Sequence, residues 1–217
     1  MADYETKMTA VKEELFSHIV GTEIVEVGMG TGPNLRYFGG LHVTGVEPNT
    51  QSFEYAESAA ARHGLASFRV VEGVGEALPL EDASVDTVVG TLVMCTVTDP
   101  AAVAREIRRV LKPGGVYLFL DHVAAPSGTP LRAAQGLFDP LNRAAYEGCH
   151  LTRDPTEAVV AAGFSEVTHR HFIAGAAADS WLSTPWGDVP ARVDRSPLDA
   201  VEPHFLISPH VVGVARA

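Results

Sequence analysis

Three glycines at alternate positions form the clearest candidate for a ligand-binding turn in this chain. Gly28, Gly30 and Gly32 directly follow a short apolar segment. An acid, Glu26, lies two residues before the first of them. Glycine lets the backbone turn sharply and approach a bound molecule closely, because it has no Cβ. A dinucleotide-binding turn needs its third glycine three residues after the second, and here that position holds Pro33, so the spacing argues against a dinucleotide.

The order of apolar segments predicts the sheet that would position this turn. Strand-like and helical segments alternate along the chain, which predicts a doubly wound α/β fold with a mostly parallel seven-stranded sheet. The expected strands cover residues 23–27, 41–46, 68–71, 85–89, 116–120, 164–173 and 204–216. The expected helical stretches cover residues 4–19, 35–38, 50–63, 99–110 and 154–162, and residues 127–147 are expected to hold helix and loop. Ligands bind such sheets at the carboxyl ends of the strands, where the strand order reverses, so the glycine turn is the expected site.

The glycine turn, on a strand that ends in an acid, resembles the first motif of the class I S-adenosylmethionine-dependent methyltransferases. Later segments resemble further motifs of that family in the same order, at residues 47–49, 73–80, 84–92 and 109–115. The resemblance implies that S-adenosylmethionine is the cofactor and that the fold is the Rossmann-like methyltransferase fold.

The same resemblance assigns roles around the cofactor. Glu47 would accept hydrogen bonds from both ribose hydroxyls, and the backbone N–H of Gly75 would meet the adenine ring. The family often has aspartate where this chain has Val74, which leaves recognition of the adenine amino group open. The cofactor-binding residues implied in this way are Glu26, Gly28, Met29, Gly30, Thr31, Gly32, Asn34, Glu47, Pro48, Asn49, Gly75, Glu76, Thr91, Leu92 and Cys95.

Segments outside these motifs are similar to the alkyl-thiol methyltransferases of animals (methyltransferase type 11 domain) and their bacterial relatives. These segments are residues 4–17, 30–34, 91–95, 121–124 and 147–153. The resemblance implies that the methyl acceptor is a small thiol or sulfide. The animal proteins carry an apolar N-terminal anchor, and this chain begins about where that anchor would end. Residues 174–203, which hold both tryptophans, form a longer insertion here that we expect to be either a substrate lid or a surface insertion.

Two histidines and their neighbours are the candidates for catalysis of thiol methylation, a reaction that a dry pocket with aligned reactants favours. His122 stands just past the fifth strand, and histidine is a common acid–base group near neutral pH, so His122 is the first candidate for a base or thiolate partner. Asp121 would orient it, although adjacent residues on a strand point to opposite faces. His150 and Cys149 are the next candidates, and Arg153 is expected to position their segment. The alternative is that these histidines and cysteines are structural.

Composition limits the partners that the chain can have. Its formal net charge of −11 opposes nucleic-acid binding, which needs a basic surface. The two cysteines are too few for a disulfide framework, and no CxxC or zinc-spaced His/Cys motif predicts a metal. The first residues contain no apolar run long enough for a membrane span or signal peptide. We therefore expect one cytoplasmic domain over residues 1–217, a monomer or homodimer that acts on a small molecule.

Two other functions stay open at this point. The same fold hosts N-, O- and C-methyltransferases, so the acceptor could be another metabolite or a lipid headgroup. A non-catalytic S-adenosylmethionine-binding protein would carry the same glycine turn and the same Glu47, because these residues bind the cofactor without proving turnover.

Overall fold

Seven strands form one sheet in the computed structural model, which describes residues 2–146, 148–173 and 209–217. The strands are β1 (Glu23–Val27), β2 (His42–Glu47), β3 (Ser67–Glu72), β4 (Val85–Thr91), β5 (Leu111–His122), β6 (Glu166–Ile173) and β7 (Pro209–Arg216). Their order across the sheet is β3-β2-β1-β4-β5-β7-β6. Neighbouring strands from β3 to β5 are parallel, and β7 is antiparallel to both β5 and β6. The predicted doubly wound, mostly parallel sheet is confirmed.

Helices cover both faces of this sheet. They are α1 (Ala2–Phe16), α2 (Phe53–Ala60), α3 (Pro100–Val110), α4 (Pro130–Ala145) and α5 (Thr156–Ala161). On one face, side chains of α1 and α2 share a buried core with Ile24. On the other face, side chains of α3 and α5 share a core with Val25. Consecutive residues of β1 thus reach opposite cores, as expected of a parallel strand that is buried on both faces. In the part of the chain described here, no helix combines the length and apolarity needed to cross a membrane.

The strand order reverses beside β1. The chain runs outward from β1 through β2 to β3 and then returns to β4, which pairs with the other side of β1. The carboxyl ends of β1 and β4 therefore border the crevice in which this class of sheet binds ligands.

Local sequence signals explain where α3 begins. The side chain of Asp99 accepts hydrogen bonds from the backbone N–H groups of Ala101 and Ala102, at 2.9 and 3.0 Å. Pro100 occupies the first turn, where its missing N–H costs nothing. This is the start that the Asp-Pro pair predicts.

One predicted helix is wrong and another is shorter than predicted. In place of a helix over residues 35–38 there is a single 3₁₀ turn, Leu35–Tyr37, because the chain turns away at Gly40, whose φ is 77°, and the N–H of Leu41 bonds the carbonyl of Phe38. The helix expected over residues 50–63 begins with a 3₁₀ turn and is helical over Phe53–Ala60. The expected lid or insertion at residues 174–203, and residues 204–208 of the last expected strand, lie outside the described residues.

Candidate functional site

The glycine turn after β1 has a backbone conformation that glycine adopts without strain. Gly28, Gly30 and Gly32 have φ angles of 65°, 52° and 76°. A Cβ added to Gly28 would lie 2.7 Å from Cγ2 of Val93, whereas one added to Gly30 would meet no described atom within 4 Å. Gly30 therefore borders open space at the carboxyl ends of the strands, and a bound molecule can approach its backbone there.

The carboxylate of Glu47, at the end of β2, is fixed against this turn. Its Oε2 accepts a hydrogen bond from the N–H of Gly30 at 2.9 Å, and its Oε1 accepts one from the N–H of Asn49 at 2.9 Å. An ionised carboxylate has about four acceptor sites, so each oxygen retains capacity for a ligand hydroxyl. The two backbone bonds hold the group in place, which suits the predicted contact with ribose.

A second buried carboxylate, that of Glu26, lies on the other side of the turn. Its Oε1 accepts a 2.6 Å hydrogen bond from Nδ2 of Asn34, and the same nitrogen donates to Oγ1 of Thr91 at 2.9 Å. Burial raises the pKa of Glu26 to about 7, although Asn34 and the nearby Lys12 oppose the shift.

Two acceptor atoms of this group have no partner within the described structure. Oε2 of Glu26 and Oδ1 of Asn34 are both buried and make no hydrogen bond. Buried polar atoms are rarely left unpaired, so these two mark a place for a donor. A ligand group with N–H donors and a positive charge would have the chemistry that this pair of acceptors calls for.

The side chains of several other predicted cofactor residues are either exposed or have partners within the protein. Met29 is buried, with its sulfur packed against Gly45, so its side chain belongs to the core. Thr31 and Pro48 are exposed. The side chain of Asn49 accepts a hydrogen bond from the N–H of Gln51 and begins the turn that precedes α2.

The predicted adenine loop packs against α3. A Cβ on Gly75 would come within 3.2 Å of Val103, so the loop backbone lies directly on the helix. Oε1 of Glu76 accepts hydrogen bonds from the N–H groups of Thr98 and Asp99, at 2.9 and 3.2 Å. The structure therefore gives the Glu76 side chain a part in holding the start of α3, which sequence reasoning had not assigned to it.

The segment that follows β4, residues 92–99, joins the glycine turn to a second polar group. It begins at Leu92, which has a φ of 59° although it is not glycine, and whose N–H bonds the carbonyl of Leu120. Strained residues of this kind persist where the surrounding structure over-determines them, often at functional sites. The side chain of Val93, in this segment, contacts Gly28, and Cys95 follows two residues later in the same segment.

Two thiols and an imidazole come together beyond that segment and form what we call the Cys-His-Cys cluster, made of Cys95, His122 and Cys149. One ligand-type atom from each lies within 4.8 Å of the other two, and all three residues are buried. Nδ1 of His122 is 3.4 Å from Sγ of Cys149. No short-range spacing predicted this group, because its members come from three distant stretches of the chain.

Asp121 reaches the cluster through Cys95 and does not orient His122 as expected. Its Oδ1 accepts a hydrogen bond from the N–H of Cys95 at 3.2 Å, and burial raises its pKa to about 8. The Cys95 thiol interacts with both Asp121 and Cys149, and its pKa is raised chiefly by the neighbouring Cys149 thiol. The Cys95 thiol, followed by the contact with His122, lowers the pKa of Cys149. The order of contacts is thus Asp121, Cys95, Cys149, His122.

The other candidates around residue 150 hold the backbone of the cluster. The N–H of His150 donates to the carbonyl of Cys95 at 2.9 Å, while its ring lies 3.9 Å from the carboxylate of Asp139 on α4. Burial lowers the pKa of His150. Arg153 donates to the carbonyls of Met94 and Val97, so it positions the segment after β4. The structure therefore brings the backbone of His150 to the cluster and gives its ring no hydrogen bond there.

Sequence reasoning missed two residues beside the cluster, Tyr4 and His210. The antiparallel register of β5 and β7 places His210 opposite His122, with ring centroids 4.7 Å apart. Nε2 of His210 lies 3.2 Å from the hydroxyl of Tyr4, which α1 carries to this end of the sheet. A strand pattern gives no register, so the pairing of the two histidines could not be read from the sequence.

Similarity to known proteins identifies the family to which this chain belongs. Residues 25–119 match the methyltransferase domain family. The chain is 39% identical over 171 residues to thiol S-methyltransferase TMT1B of Rattus norvegicus, a match that covers 74% of this chain and 70% of that protein. It is 36% identical over 178 residues to thiol S-methyltransferase TMT1A of Homo sapiens, and this match covers 77% of this chain and 73% of that protein.

Solved structures with the same fold include methyltransferases of lower identity. An S-adenosylmethionine-dependent methyltransferase of Thermotoga maritima, described as a possible histamine N-methyltransferase, has a TM-score of 0.64 at 22% identity, over 98% of this chain and 88% of that one. A putative methyltransferase of Bacillus halodurans has a TM-score of 0.66 at 19% identity, over 95% and 98%. These likenesses support the fold, while the identity to the curated relatives decides the family. The chain belongs to the family of the thiol S-methyltransferases TMT1A and TMT1B, and it is an S-adenosylmethionine-dependent methyltransferase.

Proposed function

We propose that this enzyme methylates the sulfur of a small thiol or sulfide at the Cys-His-Cys cluster. The observation that carries the proposal is the segment after β4, which touches the glycine turn through Val93 and contributes Cys95 to the cluster. One short segment thus joins the place for a methyl donor to a buried group of sulfur and imidazole side chains. Relatives named as thiol S-methyltransferases support the choice of acceptor.

The cofactor side of the site is held by the turn and its two carboxylates. S-adenosylmethionine, when bound, supplies a methyl group on a positively charged sulfur. Glu47 would accept hydrogen bonds from the ribose hydroxyls with an oxygen pair that Gly30 and Asn49 already fix. Glu26 and Asn34 would hold the ammonium group with their two unpaired acceptors.

The acceptor side must stabilise a thiolate and keep water away. A free thiol has a pKa of about 8.5, so a modest positive charge or hydrogen-bond donor is enough to favour the thiolate. His122 and the two cysteines supply such groups, and the residues beside them in sequence, Met94 and Val123, are buried and apolar. A dry site favours a reaction in which an anion meets a cation, because both charges are lost.

Substitution of Gly30 tests whether its open side faces the cofactor. Alanine at this positive φ should cost about 1 kcal/mol of stability. Its methyl group should weaken S-adenosylmethionine binding at least tenfold, because it would occupy the open space beside the backbone of residue 30. Gly114→Ala is a matched control, since Gly114 has a φ of 81° and equally open surroundings at the distant start of β5. The control should lose similar stability and keep its affinity in calorimetry. Equal affinities for the two variants would place the cofactor elsewhere.

A panel of acceptors, in which the thiol, amine and alcohol share one alkyl chain length, tests which class of acceptor the enzyme uses. An alkanethiol, the corresponding amine and alcohol, a phenol and sulfide are each incubated with enzyme and labelled S-adenosylmethionine. We expect methylated thiol or sulfide to form at least a hundredfold faster than any methylated amine or alcohol, because only sulfur becomes a good anionic nucleophile near pH 8. Methylated nitrogen, oxygen or carbon as the main product would replace the thiol proposal with one of those chemistries. An absence of every product, with cofactor still bound, would indicate a binding protein.

A further inference from the structure

The Cys-His-Cys cluster has the composition of a metal site. We propose that Cys95, His122 and Cys149 bind one zinc ion, and that the acceptor sulfur takes the fourth coordination position. Only the role of the acceptor sulfur rests on the proposed function. Metal binding by the three residues is independent of the acceptor.

The spacing of the three ligand atoms is close to that of a zinc site. Zinc bonds sulfur at about 2.3 Å and nitrogen at 2.0–2.1 Å, so a tetrahedral site separates sulfur from nitrogen by about 3.6 Å and two sulfurs by about 3.8 Å. Nδ1 of His122 already lies 3.4 Å from Sγ of Cys149. All three atoms lie within 4.8 Å of one another. Closing the site therefore needs side-chain shifts of about 1 Å.

The backbone around the three ligands is held from several sides. The N–H of Cys95 is bound by Asp121, and the carbonyl of Cys95 is bound by the N–H of His150. Asn142 donates to the carbonyl of Cys149 at 2.7 Å. A preformed set of ligands pays less ordering entropy when it binds an ion.

The fold alone does not satisfy the polar atoms of this region. Nε2 of His122 and Oδ2 of Asp121 are buried and have no hydrogen-bond partner within the described residues. An ion held by Nδ1 of His122 would not bond either atom, so they show that the region is polar and buried beside the ligands and do not themselves mark the metal. The metal is selected by the three ligand side chains, because thiolate and imidazole ligands suit zinc, whereas magnesium and calcium prefer oxygen.

Three protein ligands with one open position are typical of zinc sites that do chemistry. Two thiolates neutralise the charge of the ion, so an acceptor thiolate in the fourth position would give the site a net charge of −1 and keep its sulfur nucleophilic. On coordination the acceptor thiol loses its proton to solvent. Its sulfur then forms one bond to the transferred methyl carbon, the bond from that carbon to the donor sulfonium breaks, and the electron pair stays on the donor sulfur. No oxidant or reductant is consumed.

The test is metal loading of reduced, full-length protein that carries no affinity tag. Zinc content is measured by mass spectrometry after dialysis, and Co²⁺ is used as a spectroscopic probe through its thiolate charge-transfer band. The chain has only two cysteines, both in the cluster, so this band has no other source. We expect one zinc per chain, and affinity at least about a hundredfold weaker in Cys95→Ser, Cys149→Ser and His122→Ala. The exposed His18 provides a matched control, and His18→Asn should bind zinc as the wild type does.

Two further measurements keep the test decisive if a variant fails to fold. In the wild type, zinc should protect both thiols from alkylation, and a chelator should remove the protection. An added alkanethiol should intensify the Co²⁺ band without any methyl donor present. A protein that stays metal-free after loading, forms a Cys95–Cys149 disulfide, or methylates thiols at full rate without metal would overturn the zinc site and leave thiol methylation standing. Stoichiometric zinc on these residues with no response to thiol and no thioether product would instead overturn the proposed acceptor.

Discussion

Glu26→Gln is expected to make the ligand-free enzyme more stable at pH 8 while it weakens the binding of S-adenosylmethionine. Burial raises the pKa of Glu26 from 4.5 to about 7 in the folded protein. Because the folded pKa lies above the unfolded one, the penalty is small below pH 4.5, grows between pH 4.5 and 7, and is complete above pH 7. A shift of this size corresponds to a penalty on the order of 3 kcal/mol at pH 8. Glutamine keeps the shape and removes the charge.

The measurement is urea unfolding of wild type and variant without cofactor at two pH values. The stability gained by the variant should be about 3 kcal/mol at pH 8 and about 1 kcal/mol at pH 5.5. Glu57→Gln, at an exposed position on α2, is the matched control and should change stability by less than about 0.5 kcal/mol at either pH.

The cofactor affinity of the same variant separates function from stability. Losing the charged acceptor for the ammonium group should weaken binding about 10- to 100-fold in calorimetry at pH 8, from the usual worth of a hydrogen bond to a charged group. For the wild type, affinity should fall as the pH drops below about 7, because Glu26 must be ionised to pair with the ammonium. A variant that is less stable at pH 8 and binds the cofactor normally would contradict this account of Glu26.

Cys149→Ser is expected to abolish most thiol methylation and leave cofactor binding intact. Sγ of Cys149 is the atom that contacts both the imidazole of His122 and the thiol of Cys95, and a serine hydroxyl is a poor thiolate substitute and a poor zinc ligand. We expect kcat to fall about 100- to 1000-fold, within the range that single acid–base or ligand groups contribute.

The affinity for S-adenosylmethionine serves as the internal control for this variant. Cys149 makes no contact with the glycine turn or with either carboxylate in the described structure, so the calorimetric Kd should change by less than about threefold. A variant with unchanged kcat would return Cys149 to a structural role. A variant with normal kcat and lost cofactor affinity would indicate that the cofactor binds beside Cys149 and not at the glycine turn.

The parts of the fold that follow from local chemistry were predictable. Three features each depend on neighbouring residues: the glycine turn, the start of α3 at Asp99, and strand β4, which is buried on both faces. The structure has all three at the positions that the sequence predicts. The helix expected at residues 35–38 failed because Gly40 turns the chain before a second turn can form.

The cluster was only half predictable. His122 and Cys149 were each candidates on the sequence alone, but their contact depends on how the segment after α4 returns to the sheet. The alternation of side chains along β5 predicts that Asp121 and His122 face different ways. In the structure Asp121 bonds the backbone N–H of Cys95, and His122 contacts the thiol of Cys149. His210 could not be placed, since its position opposite His122 follows from the β5–β7 register.

Methylation of sulfur by this enzyme can be tested with one acceptor that carries both a thiol and a primary amine on a short alkyl chain. Both groups then share one binding event, so differences in affinity cannot decide the outcome. Wild-type enzyme is given the acceptor and S-adenosylmethionine with a deuterated methyl group, and the product is located by tandem mass spectrometry. We expect a single product with the label on sulfur. A label on nitrogen, with the thiol left free, would contradict it.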